Sequence, residues 1–195
     1  MRRIWWIVLG VVVLLVVGLA AWAVPLLAQG RADVPARRLV VATPAAPGDW
    51  RVTSDELRAV PELTGLDERW SRVWERPDGA DVQQAALRFS SPLWAARAFG
   101  GDDPAQQQAE FFDAVDELPV EPDTGADEAA VFCGREFARG DGCASWFVWL
   151  RYGQYVISLT ADGSAADDDA PDDRLPGWLA DTVAEADRAV TGALR

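Results

Sequence analysis

The strongest β signal in the chain is residues 144–160, ASWFVWLRYGQYVISLT. Aromatic and β-branched residues, which pack well on a pleated sheet, fill both halves of this stretch. Between the halves, residues 152–154 form a tight connection that suits a hairpin. We therefore predict two paired strands at 144–151 and 155–160. The first strand is apolar on both faces, which is typical of a central, covered strand or of one that binds a ligand.

A second hairpin is predicted upstream. Residues 70–76 and 80–89 favour strands, and residues 77–79, Pro-Asp-Gly, are a turn in which Pro sets φ and Gly accepts positive φ. A further short strand is predicted at 130–132. The sheet should therefore be antiparallel and contain about five strands.

Four helices are predicted around this sheet. A Thr-Ser-Asp-Glu capping box opens the first, at 53–63. An N-cap followed by Pro opens two more, at 91–100 and 103–115. The last helix, at 176–193, has an apolar stripe at helical spacing. Strands joined by hairpins, with helices covering one face of the sheet, make an α+β fold.

The N-terminus carries an apolar run, residues 4–27, without a charged side chain. As a helix this run would be roughly 36 Å long, enough to cross a hydrocarbon core of about 30 Å. Trp5 and Trp6 lie at one end and Trp22 near the other, as in interfacial aromatic belts. We predict a retained transmembrane helix. A leader cleaved near Ala23 is the alternative.

This interpretation divides the chain into four parts. Residues 1–3 form a cytoplasmic N-terminus, 4–27 the transmembrane helix, 28–49 a stalk rich in Pro and Ala, and 50–195 an extracytoplasmic domain. Arginines flank the apolar run on both sides, so the positive-inside rule is nearly balanced. Two cysteines that look paired and an acidic domain favour the orientation with the domain outside. The predicted location is therefore the cell membrane, with a single pass.

Cys133 and Cys143 are the only cysteines of the chain. They flank a predicted turn at 139–142, so we predict a disulfide that braces a hairpin. The alternatives are a redox pair, which usually has a closer spacing, and a metal site, which needs more soft ligands.

Composition excludes several kinds of chemistry. All 18 basic residues are Arg, and the chain has neither His nor Lys. Catalytic triads, imidazole zinc sites, phosphate loops and Schiff bases are therefore excluded. The formal net charge of −13 makes nucleic acid an improbable partner. The acidic run at 167–173 is interpreted as a solvated loop, since it lacks the pattern of a calcium loop. We predict a non-catalytic protein without cofactor or metal, although paired carboxylates remain possible, as in glycosidases.

The candidate ligand-binding residues lie on the strongest strand and just after it: Phe147, Trp149, Arg151 and Tyr152. Aromatic side chains beside an Arg suit sugar stacking and protein hot spots. The alternative is that these side chains simply pack in the core.

The layout resembles small exported proteins of actinobacteria, with an anchor, a Pro/Ala stalk and an α+β domain with cysteines at Cys133-Gly134 and Gly142-Cys143. It is similar to the extracytoplasmic sensor domains of some mycobacterial serine/threonine kinases. Those domains typically carry a second disulfide, which this chain cannot form, and neither a kinase half nor a lipobox is present. The resemblance assigns no functional residue.

Together these features predict a membrane-anchored extracytoplasmic module of the cell envelope that binds or senses an envelope protein or a cell-wall glycan. Two alternatives stay open. One is a structural accessory subunit of a membrane complex, and the other is a carboxylate-dependent wall hydrolase.

Overall fold

The computed structural model describes residues 33–45, 48–57, 63–101, 111–120, 123–136, 142–162 and 174–195. In chain order these parts contain β1 (Arg51–Leu57), β2 (Leu66–Glu75), β3 (Asp81–Phe89), α1 (Pro92–Gly101), β4 (Ala114–Leu118), β5 (Glu128–Arg135), β6 (Ser145–Tyr152), β7 (Tyr155–Asp162) and α2 (Gly177–Ala193). A 3-10 turn, Ala36–Leu39, precedes β1.

The strands form one antiparallel sheet in the order β1-β2-β3-β7-β6-β5-β4. The predicted main hairpin is β6–β7, in which Tyr152 lies opposite Tyr155 and Gly153 turns the chain with φ of 60°. Positive φ is costly for residues with a side chain, so Gly suits this turn. Pairing of β7 with β3 joins two runs of sequential hairpins into one sheet.

The predicted fold class is wrong in the number of strands and in the placement of the helices. The sheet has seven strands rather than about five, and the described residues contain two helices rather than four. Helices lie on both faces of the sheet, not on one, because α2 and α1 belong to core clusters on opposite faces. Sheet pairing therefore organises most of the chain.

The helix predicted at 53–63 is replaced at its start by β1, and residues 58–62 lie outside the described residues. Cross-strand bonds replace the capping box, because the Asp55 carboxylate accepts from Trp70 Nε1 at 2.7 Å and from Arg72 Nε at 2.9 Å. Those two donors lie on β2, so the charged edge strand is held by its neighbour. Partners across a sheet override a weak local helix signal.

The helix predicted at 103–115 is also wrong at its end. Residues 102–110 lie outside the described residues, but Val115 lies in β4, opposite Gly134 of β5. A short strand is favoured here over a last helical turn. As a strand, residues 114–118 form hydrogen bonds with the backbone groups along one edge of β5. The helices predicted at 91–100 and 176–193 are confirmed as α1 and α2.

The first face of the sheet packs against α2. The stripe predicted for the last helix is buried throughout, and its members are Leu179, Val183, Ala186, Val190 and Leu194. Alternate side chains of β6 and β7 supply the other wall, including Leu150, Ile157 and Leu159, all of them fully buried. Burying such a side chain stabilises the fold by about 1.5 to 3 kcal/mol.

Residues 33–45, which fall inside the segment predicted as a stalk, also pack on this first face. Ala36 and Leu39 are fully buried, and the Val34 N–H donates to the Tyr155 hydroxyl at 2.8 Å. The Val41 N–H donates to the Gln84 side-chain oxygen at 2.9 Å. This part of the chain is therefore bound into the globular domain over most of its length.

The predicted disulfide is confirmed. Cys133 and Cys143 are bonded, with their Cα atoms 5.4 Å apart, and Cys133 is fully buried at one end of the first-face core. Residues 137–141, which include most of the predicted turn, lie outside the described residues.

Within the described ranges, no helix is both long and apolar enough to cross a membrane. The predicted span at 4–27 and the alternative cleavage position at Ala23 both lie outside those ranges.

Candidate functional site

The four candidate residues of β6 do not lie on one surface. Side chains alternate along a strand, so Phe147, Trp149 and Arg151 share the second face of the sheet and Tyr152 lies on the first. Tyr152 is fully buried, and its hydroxyl donates to Asp187 Oδ1 of α2 at 2.8 Å. Its role in the structure is to fasten α2 to the sheet.

Phe147 and Trp149 are engaged in packing to different degrees. Phe147 is only 5% exposed, and its ring meets that of Phe112 edge-on, with centroids 5.5 Å apart. Phe112 in turn covers Gly134, where an added Cβ would lie 2.8 Å from the ring. Trp149 is half-buried and packs at the margin of the cluster beneath α1. Of these two rings, Trp149 has the larger surface open to a ligand.

Arg151 is held by neighbouring carboxylates. Its Nη2 donates to Glu128 Oε1 at 2.7 Å, and its Nη1 lies 3.6 Å from Asp127 Oδ2. The side chain is 12% exposed. A largely buried, paired guanidinium of this kind links the start of β5 to β6, and its charge is already compensated.

Four polar side chains and one alanine form a floor in the middle of the second face. Ser71, Ala85 and Ser158 occupy neighbouring positions on β2, β3 and β7. The next row along the strands contains Gln83 and Thr160, with Thr160 opposite Phe147 of β6. We call these five residues the polar floor.

Within the polar floor, Ser71 is fully buried and its hydroxyl accepts from Gln83 Nε2 at 3.2 Å, whereas Ser158 and Thr160 are half-buried. Trp149 lies directly opposite half-buried Ser158 in the register, so an aromatic residue adjoins one hydroxyl-bearing residue of the polar floor. Sequence reasoning missed the polar floor. Its signal was the alternation of Ser158 and Thr160 with large apolar residues along β7.

Three carboxylates lie on the second face near the β2–β3 turn. Glu75 lies opposite Asp81, and Asp162 follows on β7, directly after the pairing of Ala161 with Val82. Burial raises the pKa of Asp81, and the charges of Asp162 and Glu75 raise it further. Like charges on neighbouring strands disfavour full ionisation, so this acidic row favours a proton or a cationic group beside it.

Among the described residues, no group of three or more carboxylate or thiol side chains is arranged to hold a metal ion. The acidic run at 167–173 lies outside the described residues.

Comparisons with protein-family models, with curated proteins and with solved structures find no match for this chain. The resemblance to actinobacterial sensor domains stays a prediction.

Proposed function

We propose that the protein is a membrane-anchored, extracytoplasmic binding module of the cell envelope. Its binding surface is the polar floor with the adjoining ring of Trp149. The observation that carries this assignment is the pairing of half-buried Trp149 with half-buried Ser158 in the register, which puts an indole side chain next to a hydroxyl side chain. Anchoring rests on the apolar run at 4–27.

The chemistry of this surface favours a polar ligand with a flat face. Hydroxyl and carboxamide groups of the polar floor exchange hydrogen bonds with a ligand, and an indole stacks on the apolar face of a ring. The acidic row at the far end favours neutral or cationic groups and disfavours anions. A cell-wall glycan with neutral or amino-substituted sugars fits this description, and we take it as the ligand class.

Two variants of the full-length chain in detergent test the proposal. Ser158→Leu replaces a half-buried hydroxyl of the polar floor with a bulky apolar side chain. Trp149→Ala removes the indole ring. Binding to purified cell-wall glycan fragments should weaken at least about tenfold in each, the order expected for losing 1.4 kcal/mol or more of binding free energy. Thr43→Leu, at an exposed position outside the second face, is the matched control and should bind as the unaltered chain does.

Circular dichroism separates binding from folding in these variants. If Trp149→Ala unfolds the domain, the ring is a core residue and Ser158→Leu becomes the deciding variant. Unchanged binding by folded Ser158→Leu contradicts the assignment of the polar floor. If the unaltered chain captures no glycan and instead co-purifies with a membrane protein only when residues 1–30 are present, the accessory-subunit alternative is right.

One observation favours a second candidate, a carboxylate-dependent wall hydrolase. Asp81 has a raised pKa beside Glu75 and Asp162, and a carboxyl group of raised pKa is what a general acid requires. Release of reducing ends from wall glycan by the unaltered chain, abolished in Asp81→Asn and retained in Asp78→Asn, would support it. Absence of release by the unaltered chain rejects it.

A further inference from the structure

Few residues separate the end of the apolar segment from the first described residue of the domain. Leu27 is the last residue of the apolar run, and Asp33 already contacts the domain, since its Oδ1 accepts from Arg88 Nη1 at 2.7 Å. Six steps along the backbone separate Leu27 from Asp33, and an extended chain advances at most about 3.6 Å per residue. Asp33 therefore lies within roughly 22 Å of the end of the segment proposed to cross the membrane.

The contacts of this first segment define which end of the sheet lies nearest to the anchor. Val34 bonds to Tyr155, the first residue of β7, and Asp33 bonds to Arg88, which pairs with Tyr155 in the register. The β6–β7 turn is therefore at this end. The start of α1 is there too, because the Phe89 N–H, just before α1, donates to the Gln154 oxygen of the turn at 2.9 Å. We call this the tether end.

The first turns of α1 present apolar and basic side chains at the tether end. Leu93 is 63% exposed, although it is a large aliphatic residue. Trp94 is half-buried, and the exposed guanidinium of Arg97 lies over its ring, 5.8 Å from the centroid. Leu, Trp and Arg side by side on a surface helix suit the interface between lipid headgroups and acyl chains, where Trp and Arg combine an apolar body with a polar end.

Carboxylates lie at both ends of the sheet, but those named at the tether end lie beside guanidinium groups: Asp33 and Glu68 flank Arg88, and Asp127 and Glu128 flank Arg151. The opposite end of the sheet is acidic. Glu75, Asp78, Asp81 and Asp162 lie at or beside the β2–β3 turn. Strands of eight residues with a rise of about 3.3 Å per residue separate the two ends by roughly 25 Å. An anionic membrane surface repels these carboxylates within a Debye length of about 8 Å, so the favoured orientation holds them away from the lipid.

We infer that the domain is seated on the outer surface of the membrane that holds its anchor. Its tether end faces the lipid, and Leu93, Trp94 and Arg97 enter the headgroup region. This inference rests on the anchoring proposed above and adds the orientation of the domain. In this orientation the polar floor faces sideways, parallel to the bilayer. The acidic row lies at the end of the domain that is farthest from the bilayer, on the side of the wall.

Position-specific fluorescence quenching tests this seating. The full-length chain is placed in vesicles of phosphatidylcholine and phosphatidylglycerol that carry a headgroup nitroxide lipid. Since the two native cysteines are bonded to each other, a thiol introduced by Leu93→Cys can be labelled selectively with an environment-sensitive fluorophore. Pro77→Cys, exposed in the β2–β3 turn at the acidic end, is the matched control. Quenching should be several-fold stronger for the label at 93 than for the label at 77.

Flotation of the same vesicles separates failure of this inference from failure of anchoring. A chain that does not float with the vesicles contradicts the proposed function itself. A chain that floats, with equally weak quenching at both labels, contradicts only the seating.

A second variant tests whether the side chains of α1 make the contact. Leu93→Asp combined with Arg97→Glu changes two exposed positions, so the fold should persist. A label at Ser90→Cys should then lose at least half of its quenching while flotation is unchanged. Unaltered quenching in that variant would show that the tether alone sets the distance, and would contradict the contact.

Discussion

The side chain of Gln84 forms a hydrogen bond with the backbone of Val41, although the two residues lie far apart in the chain. Gln84 Oε1 accepts from the Val41 N–H at 2.9 Å, and its Nε2 donates to the Leu39 carbonyl at 3.1 Å. Gln84 is fully buried on β3. One carboxamide thus satisfies both a donor and an acceptor of the segment that leads from the proposed anchor into the domain, much as a neighbouring strand would.

Replacing Gln84 should therefore release this segment. Gln84→Met keeps the volume but leaves the Val41 N–H and the Leu39 carbonyl without these bonds, at a cost of about 2 to 4 kcal/mol. Arg37 and Arg38 are exposed within this segment and are sites for trypsin. Limited proteolysis should cleave there faster in the variant. Gln83→Met, on the opposite face, should leave the rate of that cleavage unchanged, and equal rates in all three proteins would argue against the role of Gln84.

The edge strand β1 should depend on Asp55. The carboxylate bonds Arg72 and Trp70 of β2, so Asp55→Ala should destabilise β1 by about 1 kcal/mol or less, since the pair is exposed. Amide hydrogen exchange in β1 should accelerate several-fold in the variant. Thr53→Ala, at the irregular position of the same strand, should have a smaller effect.

The same carboxylate predicts a pH dependence. The hydrogen bond from Arg72 lowers the pKa of Asp55 below its ordinary value of 3.8. The stabilisation that the ionised Asp55 carboxylate gives to β1 is therefore complete above pH 3.8, its ordinary pKa. It is lost as the pH falls through the lowered pKa of the folded state. Exchange in β1, corrected for the intrinsic pH dependence of amide exchange, should accelerate over that acidic range in the unaltered chain and stay flat in Asp55→Ala. The same acceleration in both would show that another group is responsible.

Asp81 should behave in the opposite sense. Burial and the neighbouring charges of Asp162 and Glu75 raise the pKa of Asp81, so ionising it costs stability in the folded state. Stability should fall as the pH rises from the ordinary Asp value through the raised one. Asp81→Asn should accordingly raise the melting temperature at neutral pH, and Asp181→Asn, on the exposed surface of α2, should not. A lower melting temperature for Asp81→Asn would contradict this account of the acidic row.

The disulfide should stabilise the acidic end of the first-face core. Cys133 and Cys143 close a loop of 10 residue steps, for which the chain-entropy relation gives about 3 kcal/mol. Cys133→Ser with Cys143→Ser should lower the free energy of unfolding by that order in urea titrations. Exchange should accelerate most in β4 and the end of β5. A loss spread evenly over the sheet would argue against a local brace.

Local signals in the sequence predicted much of this fold. The turn at 77–79, the β6–β7 hairpin, the N-cap and Pro before α1, and the apolar stripe of α2 all act through neighbouring residues. Each is present in the structure. The disulfide was also predictable, because two cysteines in one chain offer a single pairing.

Features that depend on distant partners could not be predicted in this way. Its neighbours in the sequence predict that Asp55 belongs to a helix cap, whereas in the fold its carboxylate bonds to Arg72 and Trp70 of β2. Residues 33–45 have the composition of a stalk, yet Gln84 and Tyr155 bind their backbone. The four candidate site residues were predicted to lie on or near one face, but Tyr152 lies on the face opposite to Trp149 and packs against α2.

Thiol labelling in intact cells tests the central claim, that a retained anchor holds this domain directly outside the membrane. A full-length Pro77→Cys chain is exposed to a membrane-impermeant maleimide, and membranes are then washed with carbonate. The account predicts maleimide on position 77 before lysis, on a chain that stays in the membrane pellet with residues 1–27 still present. Labelling only after lysis, or recovery of a labelled chain without its leader in the soluble fraction, would contradict it.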